Sequence, residues 1–170
     1  MTNSDSDSNP DAAFHHRAKR IIQAEGQNIS SSDPKKMAYS KKSYIEHVAV
    51  RVKDIHWHIQ FFYEALGMDV REIDGDPANP KQYWTIGGMQ LMNTPDFVAP
   101  PSNDAGWLAH LGVMVEDLEL AIAECHKFGV KTLPQGRNWL QLPDGLALEL
   151  LQAAPGSVGQ ALKVNPRAQV

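Results

Sequence analysis

The sequence predicts an α+β fold made of two tandem βαβββ units that form a half-barrel around a shared cavity. Two observations carry this. Residues 47–59 (HVAVRVKDIHWHI) and 110–122 (HLGVMVEDLELAI) are copies at a constant offset of 110 − 47 = 63. Five positions are identical: His47/His110, Val50/Val113, Val52/Val115, Asp54/Asp117 and Ile59/Ile122. After each copy come short segments of strand character separated by glycine-bearing turns.

Element by element, residues 45–52 place Ile, His, Ala and Arg on one face and Glu and three Val on the other, the period of a strand. Asp54 is an N-cap candidate, and Ile55, Ile59, Phe62 and Leu66 then follow at helical spacing up to the C-cap glycine Gly67. Strands are expected over 68–73, 82–86 and 89–93, with Gly87-Gly88 as a two-residue hairpin turn. The Pro-rich stretch 94–106 links the halves. The second copy repeats the order: a strand over 108–115, a helix capped by Asp117 and closed by Gly129, and strands over 130–133, 138–142 and 146–151 with Pro143-Asp144-Gly145 as a turn. The domain is therefore set at 43–153, with units 43–93 and 107–152. Residues 1–42 form an N-terminal extension with a short helix ending near Gly26 and a polar linker. The His15-His16 pair there reads as a solvated helix face. Residues 154–170 form a tail with no assigned structure.

Composition narrows the function classes. The chain has 170 residues, 42% hydrophobic and 21% charged, enough for one domain with a sizeable core. A net charge of −4 lacks the basic excess that nucleic acid requires. A mean hydropathy of −0.37 and the absence of any apolar run of about 20 residues argue against a membrane span. The acidic, polar start lacks the pattern of a signal peptide, and the expected location is cytoplasmic. The single cysteine, Cys125, falls in the second helix and reads as a buried structural thiol.

The chemistry-bearing residues lie at repeat-related places. Two equivalent histidines are the start of a metal site. The segments Gly88-Met89-Gln90-Leu91-Met92 and Ala147-Leu148-Glu149-Leu150-Leu151 each set one polar side chain among apolar neighbours on the last strand of a unit. If first and last strands pair, His47, Gln90, His110 and Glu149 converge. They would then offer two imidazoles and two oxygens to one divalent ion (Mn, Fe, Co, Ni or Zn), with positions open for water or substrate. Taken singly, each histidine also fits a hydrogen-bonded core residue and Gln90 fits a strand surface; the joint pattern favours the metal. Arg51 shares the strand parity of His47 and suits a substrate carboxylate as well as it suits a strand-end surface. Met89, Met92, Met114, Trp84 and Trp139 fit pocket walls and core packing equally. His56 and His58 point to different faces of the first helix, and their counterparts Glu119 and Ala121 speak against a ligand role. Trp57 is expected at an interface between copies or subunits.

The stretch VKDIHWHIQFFYEALGM, with Phe61-Phe62 and the ending Leu66-Gly67-Met68, and the stretch LQLPDGLALELL, with Pro-Asp-Gly before a glutamate, resemble the vicinal oxygen chelate (glyoxalase/bleomycin-resistance/extradiol dioxygenase) superfamily over residues 43–152. The resemblance implies one divalent metal held by His47, His110 and Glu149, with Gln90 as fourth ligand. The His, Gln, His, Glu set is most like those of methylmalonyl-CoA epimerase or glyoxalase I. It implies an isomerase, epimerase or glyoxalase-like lyase that stabilises an enolate-type intermediate on a small oxygenated substrate, with Glu149 as base and a homodimer as the assembly. Arg51, Met92 and Met114 are the candidate substrate contacts. The alternatives are an Fe(II) extradiol ring-cleaving dioxygenase, in which Gln90 would be idle, and a non-catalytic ligand-binding or resistance protein.

Overall fold

The computed structural model describes residue 43, residues 45–101 and residues 106–163. The chain divides into two compact units, Met1–Tyr44 and Ile45–Val170. The expected N-terminal helix and linker lie outside the described residues, as does the end of the tail.

The larger unit has the expected α+β architecture: two mixed four-stranded sheets that do not close into a barrel. The first contains β1 (Val48–Val52), β2 (Val70–Asp76), β3 (Asn79–Thr85) and β4 (Met89–Asn93), ordered β1-β4-β3-β2, with helix α1 (Ile55–Gln60) between β1 and β2. The second repeats this with β5 (Leu111–Val115), β6 (Lys131–Thr132), β7 (Trp139–Gln141) and β8 (Ala147–Gln152), ordered β5-β8-β7-β6, and helix α2 (Leu118–Lys127). A short helix, α3 (Ser157–Leu162), lies in the region given no structure from sequence.

In each sheet the first strand pairs in parallel with the last. Ala49 lies opposite Gln90 and Gly112 opposite Glu149, so the repeat register survives in three dimensions. A parallel neighbour needs a crossover, and α1 and α2 supply it. Both start on the predicted caps: the Asp54 side chain accepts from Trp57 N–H at 3.0 Å, and that of Asp117 from Leu120 N–H at 3.0 Å.

Three differences from expectation have physical causes. After Gln60 the first helix widens into a π-helical turn over Phe61–Ala65, which lets the adjacent rings of Phe61 and Phe62 both be fully buried. Strands β2 and β3 are longer than expected and meet in a turn at Pro77-Ala78, where Asp76 Oδ1 accepts from Ala78 N–H at 2.9 Å. Both histidine-led strands begin one residue after the histidine, which leaves His47 and His110 just ahead of the ladders.

The core joins the two repeats. Trp57 stacks on Phe61 with ring centroids 5.1 Å apart, and Phe128 at the end of α2 meets both edge-on at 6.1 and 5.6 Å. Trp57 thus occupies the expected junction between copies. Cys125 is fully buried, and burial pushes its thiol up to about 12. A polar tie crosses the same junction: Lys53 N–H donates to Asp144 Oδ2 at 2.6 Å, from the predicted Pro-Asp-Gly turn. Behind it His58 is buried, its Nδ1 donating to the Asp54 carbonyl at 2.7 Å. Its Nε2 is therefore a bare lone pair, 3.8 Å from Asp144 Oδ2. Two acceptors cannot bond, which accounts for the unpartnered nitrogen. Burial lowers the His58 pKa below 6.5 against the opposing pull of the Asp54 carbonyl, Asp144 and Asp54.

Two outcomes are expected. Phe61→Ala costs about 3–5 kcal/mol of stability in denaturant unfolding, the usual range for emptying a full aromatic site. Because the folded protein holds the His58 proton less readily than the unfolded chain, the His58 contribution is complete above about pH 6.5 and declines as pH falls below it. Melting temperatures of wild type and His58→Asn measured between pH 7.5 and 5 should converge as the pH falls.

Candidate functional site

Strand alternation sorts the side chains. Val50, Val52 and Leu91 in the first sheet, and Val113, Val115, Leu148 and Leu150 in the second, are buried in the core cluster with Phe61, Phe62 and Cys125. His47, Ala49 and Arg51 share the opposite parity, which defines the open face of the first sheet. Trp84, Gln82, Gln90 and Met92 lie on that face too, in register: Gln82 opposite Met92, Trp84 opposite Gln90. In the second sheet Trp139 lies opposite Glu149 in the same way, and Met114 opposite Leu151.

The structure places two of the predicted donors on each sheet, and those of the second sheet are close together. His110 Nε2 is 3.5 Å from Glu149 Oε2, and the imidazole packs edge-on against Trp139 at 4.6 Å. The His110 side chain is 37% exposed and that of Glu149 25%, so solvent reaches both. His47 and Gln90 stand on the first sheet at the equivalent places. Among the described residues no three His, Cys, Asp or Glu side chains lie close enough to hold one ion, so the expected convergence of all four donors is not seen within the chain. The reason is architectural: each pair belongs to its own four-stranded sheet.

Each donor of the first pair is held by a neighbour that the sequence did not reveal. His47 Nδ1 is 2.5 Å from Glu46 Oε2. A carboxylate can only accept, so Nδ1 carries the proton and the Nε2 lone pair is left for a metal. Glu46 also accepts from Arg71 Nη1. The Gln90 amide is fixed by a chain of two bonds across the sheet. Gln82 Nε2 donates to Asp74 Oδ2 at 3.2 Å, so Gln82 Oε1 is the acceptor for Gln90 Nε2 at 2.5 Å. The chain starts at an acceptor-only carboxylate, which settles both amide orientations and leaves Gln90 Oε1 unused. These donors fit a divalent ion in chemistry, and those of the first sheet are pre-oriented for it. The position matching Glu46 in the second copy is Ala109, so no such support exists there. Gly88 secures the first pair: its φ of 96° suits glycine alone, and a Cβ there would come within 2.8 Å of the Glu46 carbonyl.

Of the other predicted site residues, Arg51 is exposed and lines a cavity of about 400 Å³ with Ala49, Phe97, Trp107, Asp144 and Ala147. Ala49 and Ala147 stand two residues from His47 and Glu149, on the same strand faces. Met92 lies opposite Arg51. Met114 lines a different cavity, of about 480 Å³, with Val48, Met89 and Leu111. Met89 is otherwise a core residue.

Comparison with known proteins agrees with this architecture. No curated protein matches the chain. Among solved structures, the glyoxalase I of Leishmania major, described as trypanothione-dependent, is 22% identical with a TM-score of 0.50, over 65% of this chain and 87% of that one. The fosfomycin resistance protein FosX of Mesorhizobium loti is 12% identical with a TM-score of 0.51, over 71% and 99%. A glyoxalase family protein of Enterococcus faecalis is 26% identical with a TM-score of 0.48, over 64% and 96%. The first two share the fold. No helix among the described residues is long and apolar enough to cross a membrane. The profile of one superfamily, whose members usually bind a divalent metal and include both enzymes and non-catalytic resistance proteins, matches residues 44–139, more than half of the sequence. The chain belongs to the glyoxalase/bleomycin resistance protein/dioxygenase superfamily.

Proposed function

We propose that the chain is a metal-dependent isomerase, epimerase or glyoxalase-like lyase that removes a proton beside a carbonyl of a small oxygenated substrate. One observation supports this above the others: two donor pairs at equivalent strand positions, the first with its imidazole and amide each turned by a fixed partner so that one lone pair stays unused. An idle glutamine, as in the ring-cleaving alternative, would need no such chain of support. His47, Gln90, His110 and Glu149 would hold the ion, the two sets brought together across the homodimer proposed below, and the ion when bound supplies Lewis-acid polarisation of the substrate oxygens.

The chain's own groups do the rest. Glu149, weakly held and leaving the ion on turnover, takes the proton. It is partly exposed, with the His110 imidazole 3.5 Å from its Oε2. The cavity beside Ala49 and Ala147 receives the substrate body, and Arg51 and Met92 border it. A homodimer is part of the proposal. Met114 and Leu151, paired across β5 and β8 and both exposed, give an apolar surface next to Glu149 that a second copy would cover.

Elemental analysis of the purified protein should find a divalent metal, or find uptake after soaking, and the loaded protein should exchange the α-protons of small 2-oxygenated carbonyl compounds in D2O. Protein that takes up no metal sinks the reading; oxygen uptake with catechols would turn it toward the dioxygenase. Glu149→Gln should slow exchange about 10²–10⁴-fold, the usual worth of a positioned base. Asp74→Ala frees the Gln82 amide and with it Gln90, and should weaken metal binding about 10–100-fold in a competition titration, the effect expected of an outer-shell partner.

A further inference from the structure

Among the described residues, three buried donors at one end of the first sheet have no acceptor: Arg71 Nε, Arg71 Nη2 and Trp84 Nε1. The register places them beside the first donor pair. Trp84 is the cross-strand neighbour of Gln90, Glu72 is opposite Trp84, and Arg71 falls in the bulge of β2 between Val70 and Glu72. From there the Arg71 side chain reaches across the end of the sheet to Glu46, whose other oxygen holds His47.

Buried N–H groups are almost always paired, and one left unpaired costs about 1–3 kcal/mol, more on a charged group. Three together, two of them on a guanidinium, mark a place shaped for an acceptor. The chemistry of the free edge is specific. With Nη1 committed to Glu46, the Nε–H and Nη2–H bonds that remain run parallel along one side of a planar fork, the arrangement that matches the two oxygens of a carboxylate. Arg51 differs: it is exposed, and water can satisfy it.

We infer that the substrate carries a carboxylate, received by the Nε/Nη2 edge of Arg71, with the Trp84 indole N–H as a neighbouring donor. The word substrate rests on the function proposed above; the receptor itself needs no ion. Arg71 is linked to His47 through Glu46, so the carboxylate would be held at the end of the sheet where the first donor pair stands.

The test uses the full-length chain stripped with a chelator and titrated calorimetrically with phenylacetate, its neutral analogue phenylacetamide, and inorganic phosphate. Phenylacetate should bind at least tenfold more tightly than the other two. Arg71→Gln should reduce phenylacetate affinity at least tenfold and leave phenylacetamide unchanged, and Trp84→Phe should weaken phenylacetate several-fold. The comparison of probes on the wild type holds even if a variant fails to fold. Equal binding of acid and amide, tighter binding of phosphate, or undiminished phenylacetate binding by Arg71→Gln would overturn the inference. Phenylacetate binding that appears only after Mn²⁺ is added would also overturn it, while leaving the metal reading intact. Binding to the stripped protein, in a chain that takes up no metal, would support the carboxylate receptor and remove the metal reading.

Discussion

Parallel pairing of the first and last strands within each unit is the constraint from which the rest follows. It sets Ala49 against Gln90 and Gly112 against Glu149, so a histidine at the strand entrance and a polar side chain two strand positions away share one face. It also makes the helical crossover obligatory, and the crossover helices bury the other face. Their aromatic ends then lock the two units together through Trp57, Phe61 and Phe128. Site geometry and core stability are thus two faces of the same pairing: the buried parity carries Val, Leu and Ile, and the open parity is free for chemistry.

On that symmetric frame the two halves are supported differently. In the first, Glu46 fixes a tautomer and Asp74 fixes two amides, so both donors are turned before any ion arrives. Pre-turned ligands lose less rotamer freedom on binding. In the second, His110 leans on Trp139 and faces Glu149 with no comparable framework. A carboxylate that is to take up and return a proton benefits from that latitude.

Much of this was legible in the residues. The 63-residue offset, the capping aspartates, the Gly-Gly and Pro-Asp-Gly turns and the burial of Cys125 are local signals, and local signals read true. The superfamily is carried by two of those segments. Missed features depend on what lies across a sheet. Nothing near Glu46, Gln82 or Asp74 announces that they orient His47 and Gln90, because the bonds span 8 residues or join neighbours whose geometry is fixed by Gly88 far along the chain. The same holds for Arg71, 25 residues from Glu46. The π-helical turn escaped notice because helical spacing at Ile55, Ile59, Phe62 and Leu66 is satisfied on average without it. The separation of the donors into two pairs was hidden too, since repeat symmetry specifies equivalence and leaves distance open.

The two copies keep step at the histidines and lose it by their last strands: 90 − 47 = 43 residues separate one pair, 149 − 110 = 39 the other. The outer strands differ most: β2 and β3 run seven residues each and β6 and β7 only two and three, with a longer connection between β6 and β7 making up part of the difference. The long hairpin is where Arg71, Asp74 and Gln82 reside; the short one has no room for their equivalents. The shorter edge leaves the paired inner strands untouched, so one duplicated frame carries a wide, cross-bonded outer hairpin on one sheet and a narrow one on the other.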